Sequence, residues 1–499
     1  MSNFFKWLAI PGMMALMMNL SCQKDDIGIP DGKEEEEEDT IVVVPVDTAY
    51  LAAFKDEYWT LYTYDNVYEW GPYNVHDPSI LNDSDYFYCY STDVFYGLPI
   101  LRAGIQVRRS EDLVHWEFIG WAYDGRPSQA VEYITSNGGS PVDNVWAPYI
   151  MKAGDEYRLY YSQASNIGKL SAIGLTTSDS PEGPWTEKGL VVTSHPNFFM
   201  PNGIDPSVVV DQDGGHWMFY GSSWDGIYIL ELDPVTGLAK NSGSKGKRIA
   251  HRGFTNNVMN GNIEAPEIIY NPAFNRYYLF ISYDWLSTKY NVRVGRADKV
   301  DGPYYDYNGT DLNTNVDNIP MIQAPYAFSA HSGWQGIAHC TVFEDDSQFY
   351  IASQARPRTN PNFMDLHVRR ILWTEDGWPV VSPERYAGIT RTPVNPEEME
   401  GEWEYIKFKY TVVPGFAEEQ TDPQIQKAVG ITLASGGTIN DDPGNTWKFN
   451  NQLLEMNWNN VTIDRVMVER GWDWERKNET ILFTGLNNKG TTIWGKKKL

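Results

Sequence analysis

Residues 202–223 read NGIDPSVVVDQDGGHWMFYGSS, two short apolar strands about an Asp-Gly turn, the combination that marks a β-hairpin. The first strand opens on an acid, Asp205, directly before Pro206. Proline brings no N–H to a sheet ladder, so it is tolerated at a strand's first residue, and it biases the residue before it towards extended backbone. The stretch therefore predicts an extended Asp205, held stiffly at a strand entrance.

The same unit recurs as HDPSILNDSDYFYCYST from His76, WAPYIMKAGDEYRLYYSQ from Trp146, IEAPEIIYNPAFNRYYLFIS from Ile263 and AHCTVFEDDSQFYIASQ from Ala338. With Asp77, Ala147, Asp205, Ala265 and Cys340 taken as equivalent, the spacings are 70, 58, 60 and 75 residues. Self-similarity on this scale signals a repeat architecture. Each unit continues into a further strand, a turn and an outer strand, and no helical period of apolar residues is sustained here. Five units of four strands predict an all-β fold, a five-bladed β-propeller with its first strands around a central axis.

Three of the five units place an acid at the head of the first strand: Asp77, Asp205 and Glu264. In a ring of five, units three and four are neighbours and unit one lies two blades from either. Asp77 then faces Glu264 across the axis, with Asp205 beside Glu264. Two carboxyl groups about 6.5–9.5 Å apart suit inverting hydrolysis of a glycosidic bond, one as acid and one as base. Glu264 is the expected acid, Asp77 the base, and Asp205 the nearby charge that keeps Glu264 protonated. Glu267 is a rival acid; along a regular strand residues three apart face opposite ways, so only one of the two should face the axis.

Acidic residues outnumber basic ones 66 to 40 among 499 residues, with no basic stripe except the final Lys run, so no nucleic-acid partner is expected. Aromatic residues make up 14%, including 19 Trp and 31 Tyr, which suits stacking on sugar rings as well as packing of aromatic-rich sheets. Residues 1–22 carry Lys6, an apolar run from Trp7 to Leu20, then Ser21 and Cys22, a secretory signal too short for a stable span. The charged residues 23–48 predict a solvated tether. Cys89 and Cys340 fall in different repeats and are expected as buried free thiols.

The motifs HDPSI, VWAPYI, GIDPSV, NIEAPEI, SDSPEGPW and LHVRRILWTEDGWPVVSPERY, spread over roughly residues 70–390, resemble glycoside hydrolase family 43 and, within it, endo-α-1,5-L-arabinanases. The resemblance implies Asp77 as general base, Glu264 as general acid and Asp205 as modulator of the acid's pKa and its orienter. It implies sugar contacts from Trp146 and Trp224, with Asn144, Ser222 and Ser223 as neighbouring donors. It also implies one calcium ion near the axis beside His339, although the family's usual Gly-His-Asn is Ala-His-Cys here. Residues 1–22 resemble a bacterial lipoprotein signal that would lipidate Cys22 and place the protein in the outer membrane, with exposure at the cell surface as one option; simple secretion or a periplasmic location is the alternative.

From about residue 396 the repeat gives way to alternating strands between polar turns, which predict a small antiparallel β-barrel. It resembles the C-terminal barrel of some family 43 arabinanases, and is expected to brace the propeller, with Trp447, Trp458 and Trp472 as the candidates for glycan binding instead. The expected organisation is signal 1–22, tether 23–48, propeller 49–393 and barrel 394–499, as a monomer. The expected activity is inverting cleavage of internal α-1,5 links of arabinan, a side chain of pectin. An exo-acting arabinanase, an arabinofuranosidase or β-xylosidase, and a non-catalytic sugar-capturing lipoprotein are the alternatives.

Overall fold

Each repeat unit forms an antiparallel meander in the computed structural model, which describes residues 46–96, 99–100, 102–197, 201–314, 319–416 and 420–499. The signal, Cys22 and nearly all of the tether lie outside the described residues. The fold is all-β. Four meanders are separate four-stranded sheets in a propeller-like arrangement, with first strands Ser79–Asp83, Trp146–Ala153, Ser207–Val210 and Ile263–Asn271.

The fifth unit is not a sheet of its own. Cys340–Asp345, Gln348–Pro357, Asp365–Trp373 and Pro379–Val381 pair in sequence order, but Gln348–Pro357 runs on to pair with Trp334–Gln335, and the sheet continues through Tyr326–Ala327 to Gln426–Lys427. The extra pairing is possible because Gln348–Pro357 is longer than the first strand it pairs with, leaving free ladder positions at Arg356 and Pro357.

Middle strands such as Ser171–Ser178 and Asp365–Trp373 are buried almost throughout, because a sheet stacked on both faces cannot show the in-out alternation of a half-exposed one. Apolar layers fill the spaces between successive units; Tyr90, Ile150 and Leu159 lie in one, Tyr160, Val208 and Met218 in the next. Ile80, Phe87 and Cys89 pack with Phe343, Tyr350 and Val368 of the fifth unit. Cys89 and Cys340 are buried free thiols.

Two local expectations fail. Asp77 and Asp205 both precede proline, yet have φ of +52° and +58°, left-handed rather than extended, and their strands start two residues later at Ser79 and Ser207. The segment between the first two sheets holds a nine-residue helix, Ser128–Ser136. It buries only Ala130 and Ile134, too few for a readable period.

The C-terminal part closes as an eight-stranded barrel, Gly401–Lys407 pairing with both Val429–Leu433 and Thr492–Lys497, around Trp403, Leu433, Met456, Val466 and Phe483. Its tryptophans do not form an exposed platform. Trp447 Nε1 donates to the Ala434 carbonyl at 2.9 Å and Trp458 Nε1 to Asp464 Oδ2 at 2.6 Å. Trp472 is 4% exposed and packs with Leu51, Ala387 and Ile389, as bracing requires. Lys496, fully buried, reaches Glu384 at 2.6 Å, Asp473 at 3.0 Å and also Glu475.

Replacing Lys496 by Met strands those carboxylates in the low-dielectric interface, where an unpaired buried charge costs about 3–5 kcal/mol. Urea unfolding of Lys496→Met should show a loss of that size; a loss below about 1 kcal/mol, typical of an exposed pair, would show that the cluster is hydrated.

Candidate active site

The residue at the head of each first strand is left-handed: Asp77 (φ +52°), Ala147 (+35°), Asp205 (+58°), Ala265 (+52°) and His339 (+46°). The fifth equivalent is therefore His339, one residue before Cys340. In four cases the N–H of this residue donates to a side chain from another unit: Asp77 to Gln354 Oε1 (2.8 Å), Ala147 to Thr92 Oγ1 (2.6 Å), Asp205 to Ser162 Oγ (3.1 Å) and His339 to Ser282 Oγ (2.9 Å). In the fifth, the Ala265 N–H faces the Asp205 carboxyl and favours its ionised form. Asp77, Asp205 and His339 occupy the left-handed position itself, and Glu264 the residue before it.

These turns bring Asp77, Asp205, Glu264 and His339 into one pit. Asp77 Oδ1 lies 2.9 Å from His339 Nδ1 and Oδ2 lies 2.7 Å from His76 Nδ1; Thr92 Oγ1 donates to Oδ2 at 2.6 Å. Burial opposes ionisation of Asp77, but the charge and hydrogen bonds of His339 and His76 override it and hold the carboxyl well below the usual range. Burial also opposes charge on His339, yet Asp77 beside it, with Asp205 and Glu264 near, raises the imidazole to about 9. The pair is thus an imidazolium and a carboxylate at neutral pH. Asp205 is pushed well above the usual carboxylate range, first by burial and then, against His339, by Glu264 and Asp77. The carboxyl that the shared field raises is thus that of Asp205 itself.

Glu264 accepts from Ser222 Oγ at 2.8 Å and from the Tyr290 hydroxyl at 2.7 Å. The alternation argument against Glu267 fails. Glu264 pairs with Ser282 and Glu267 with Phe280, two ladder steps apart, so the bulge at Ala265 puts both on one face. Burial separates them. Glu267 is 3% exposed, accepts from the Val342 N–H at 3.3 Å, and is pushed by burial up to about 8, while Glu264 is only partly buried.

The other residues singled out in the sequence surround the pit with altered duties. Trp146 is half-buried, one residue before Ala147. Asn144 uses its Nδ2 on the Asp93 carbonyl at 3.0 Å and lines a cavity of about 230 Å³ with His76, Arg356 and Asn362. Ser222 is committed to Glu264, and the Ser223 N–H donates to the Ile263 carbonyl at 2.7 Å. Trp224 is half-buried with φ +42°. Sequence reasoning missed Tyr290 and Arg356, which lie in no repeated motif, and His76, although it stands beside Asp77 in HDPSI.

The profile of "Glycosyl hydrolases family 43" matches residues 71–379, and that of a "C-terminal lipocalin-like domain" residues 383–495. The chain belongs to glycosyl hydrolase family 43. An extracellular endo-α-(1→5)-L-arabinanase of Thermotoga petrophila is 30% identical over 84% of this chain and 93% of its own; an extracellular endo-α-(1→5)-L-arabinanase 2 of Bacillus subtilis is 26% identical over 85% and 93%. The crystal structure of an endo-1,5-α-L-arabinanase from Thermotoga petrophila superimposes with a TM-score of 0.73 at 27% identity, covering 86% of this chain and 99% of that one.

In this family 43 protein, the pit gives a cation few direct ligands. Asp77 takes His339 Nδ1, leaving Nε2. Among the described residues, the one trio of acidic, His or Cys side chains whose ligand atoms all lie within 4.8 Å is Glu384, Asp473 and Glu475, where Lys496 already supplies the positive charge. The negative field that holds a proton on His339 also favours a divalent cation there, and such an ion would keep mostly water ligands. The residues fit hydrated calcium in charge, with one imidazole that would have to give up its Nε2 proton to take the ion.

Removing the imidazole leaves Asp77 buried without its counter-charge, an expected cost of about 3–5 kcal/mol at pH 7. A group whose pKa rises on folding stabilises fully below its unfolded value, near 6.5 for His, and that stabilisation fades as pH passes the folded value, here about 9. Urea unfolding of wild type and His339→Ala with a chelator present should therefore show a wide gap at pH 6 that narrows by pH 10; a gap independent of pH would refute the ion pair.

Proposed function

We propose that the protein is an inverting endo-α-1,5-L-arabinanase. The observation that carries this reading is one pit holding an ionised carboxylate, Asp77, and a second carboxyl, Glu264, held by two hydroxyls, in a chain matched along both domains by endo-arabinanases. Glu264 gives its proton to the bridging oxygen as the bond from the anomeric carbon to that oxygen breaks. Water attacks the anomeric carbon from the opposite face and passes its proton to Asp77, so configuration inverts. Asp205 orients this pair from its position beside Glu264, and its Ala265 N–H contact ties it to the strand that carries the acid. Trp146 and Trp224 supply flat faces to the sugars, and Asn144 and Ser223 lie within the rim; Ser222 acts through Glu264.

We assign residues 49–393 to a five-bladed catalytic propeller and 394–499 to the barrel. Five-blade closure is supported by Gln354 of the fifth unit holding the Asp77 N–H, as Thr92 holds that of Ala147, and by the apolar layer shared by the fifth and first units. A calcium ion on His339 would supply positive charge beside Asp77. Lipidation at Cys22, with residues 23–48 as tether, would present the enzyme on the cell envelope to arabinan, and a monomer suffices for the site.

On linear arabinan the purified protein should release a ladder of oligomers, whereas one short product from the outset means exo action, and cleavage of xylan or aryl xyloside alone means a different glycosidase. Glu264→Gln and Asp77→Asn should each lower kcat by about 10²–10⁴-fold, the range for a lost general acid or base; reducing-end release unaffected by both would assign the chemistry elsewhere. Chelation should reduce activity and calcium restore it in wild type. In His339→Ala calcium should restore nothing, and activity indifferent to chelation would remove the ion from the site.

A further inference from the structure

The barrel sends a loop onto the catalytic face. Strands Gly401–Lys407 and Val429–Leu433 pair directly, Tyr405 opposite Val429, a register that a short hairpin could connect. Instead the described residues 408–416 and 420–428 lie between them. Long connections inside packed domains concentrate at functional surfaces, and this one is fastened at several points. The Tyr410 hydroxyl donates to Asp284 Oδ2 at 2.7 Å, and its ring lies 3.8 Å from the Arg293 guanidinium. The Gly261 N–H donates to the Gly415 carbonyl at 3.1 Å, and the Asn262 amide to the Phe416 carbonyl. Beyond, the Gln426 N–H donates to the Pro325 carbonyl at 2.9 Å.

The segment that receives this loop, Gly261 and Asn262, leads straight into Glu264. There the Phe416 ring lies 6.0 Å from that of Trp224, tilted by 53°. Both rings are partly exposed. Position 261 has no room for more than glycine, since a Cβ would come within 2.2 Å of the Phe416 ring. Trp224 in turn stands two residues after Ser222, which holds Glu264, and the Lys169 ammonium lies 6.0 Å from its ring. One aromatic face from each domain thus sits on the segments that lead to Glu264 and to its partner Ser222, with a polar donor at the edge, the mixed surface on which a sugar ring stacks and is oriented.

We infer that Phe416 and Trp224 form a sugar-binding position shared between the two domains, which takes an arabinofuranosyl residue on the leaving-group side of the cut bond. The inference rests on the arabinanase reading above: Glu264 protonates the leaving oxygen, so sugars bound on its side belong to the departing chain. Phe416 is then a specificity-determining residue for longer substrates, and the barrel contributes to the groove as well as bracing it.

The test uses the full-length protein and two substrates, α-1,5-arabinotriose and α-1,5-arabinohexaose. Phe416→Leu keeps apolar bulk over Gly261 but removes the flat face; Phe416→Trp keeps the face. Phe416→Leu should raise KM for the hexaose by about 3- to 10-fold, the worth of one aromatic contact, with little change for the triose and an unchanged Tm, while Phe416→Trp should stay near wild type. Wild-type behaviour of Phe416→Leu on both substrates would overturn the inference. So would an equal loss in both variants, or a loss shared by both substrates with a lowered Tm, because either outcome makes the ring a packing element. A wild-type protein inert on every arabino-oligosaccharide would instead bring down the arabinanase reading, and this inference with it.

Discussion

The active-site geometry depends on a backbone turn that is unfavourable in isolation. A non-glycine residue in the left-handed region costs roughly 1–2 kcal/mol, and the described chain places one at the head of all five first strands. What offsets the cost at four of them is a hydrogen bond from the N–H to a side chain of another unit. Thr92 does double duty, donating to the Asp77 carboxylate while accepting the Ala147 N–H. The turns are therefore stable only when neighbouring units are docked, so the pit is a product of assembly and not of any single repeat.

The same arrangement sorts the charges. Three carboxyl groups share a buried site with His339 and His76, where ionising all three acids together is costly. Direct contact decides which acid gives way. Asp77 touches His339 and stays ionised; Asp205 accepts only a backbone N–H among its stabilising contacts and is pushed upwards. An ionised and a proton-retaining carboxyl thus arise within one pit without any difference in residue type, and the hydroxyls of Ser222 and Tyr290 hold Glu264 in the same pit.

The repeat, the barrel and the residues of the pit could be read from the sequence because each repeat carries its own turn chemistry and strand pattern. Asp77, Asp205 and Glu264 stood out by position alone. Backbone detail could not be read the same way. The rule for residues before proline describes a chain without tertiary partners, and at Asp77 and Asp205 the partners Gln354 and Ser162 outweigh it. Strict alternation assumes an unbroken ladder, and the bulge at Ala265 breaks it, which is why Glu267 shares a face with Glu264. His339 was identified as a site residue but assigned one position off the repeat, since Cys340 begins the strand while His339 makes the turn. Tyr290 and Arg356 gave no signal, because they belong to no repeated pattern and are defined only by what folds against them.

The relation between the two domains follows from the unusual fifth unit. Its longest strand overruns its partner and its sheet extends to Gln426–Lys427 of the barrel segment, so the barrel is joined to the propeller by backbone pairing as well as by side-chain packing. Lys496 adds a buried charge cluster and Trp472 an apolar contact at the same junction. A junction this heavily specified holds residues 408–416 in a defined place, and that place is the backbone leading into Glu264. Bracing and substrate contact are then one property: a barrel free to rock on a flexible linker could not hold Phe416 against Gly261, and a barrel held rigidly cannot avoid forming one wall of the groove.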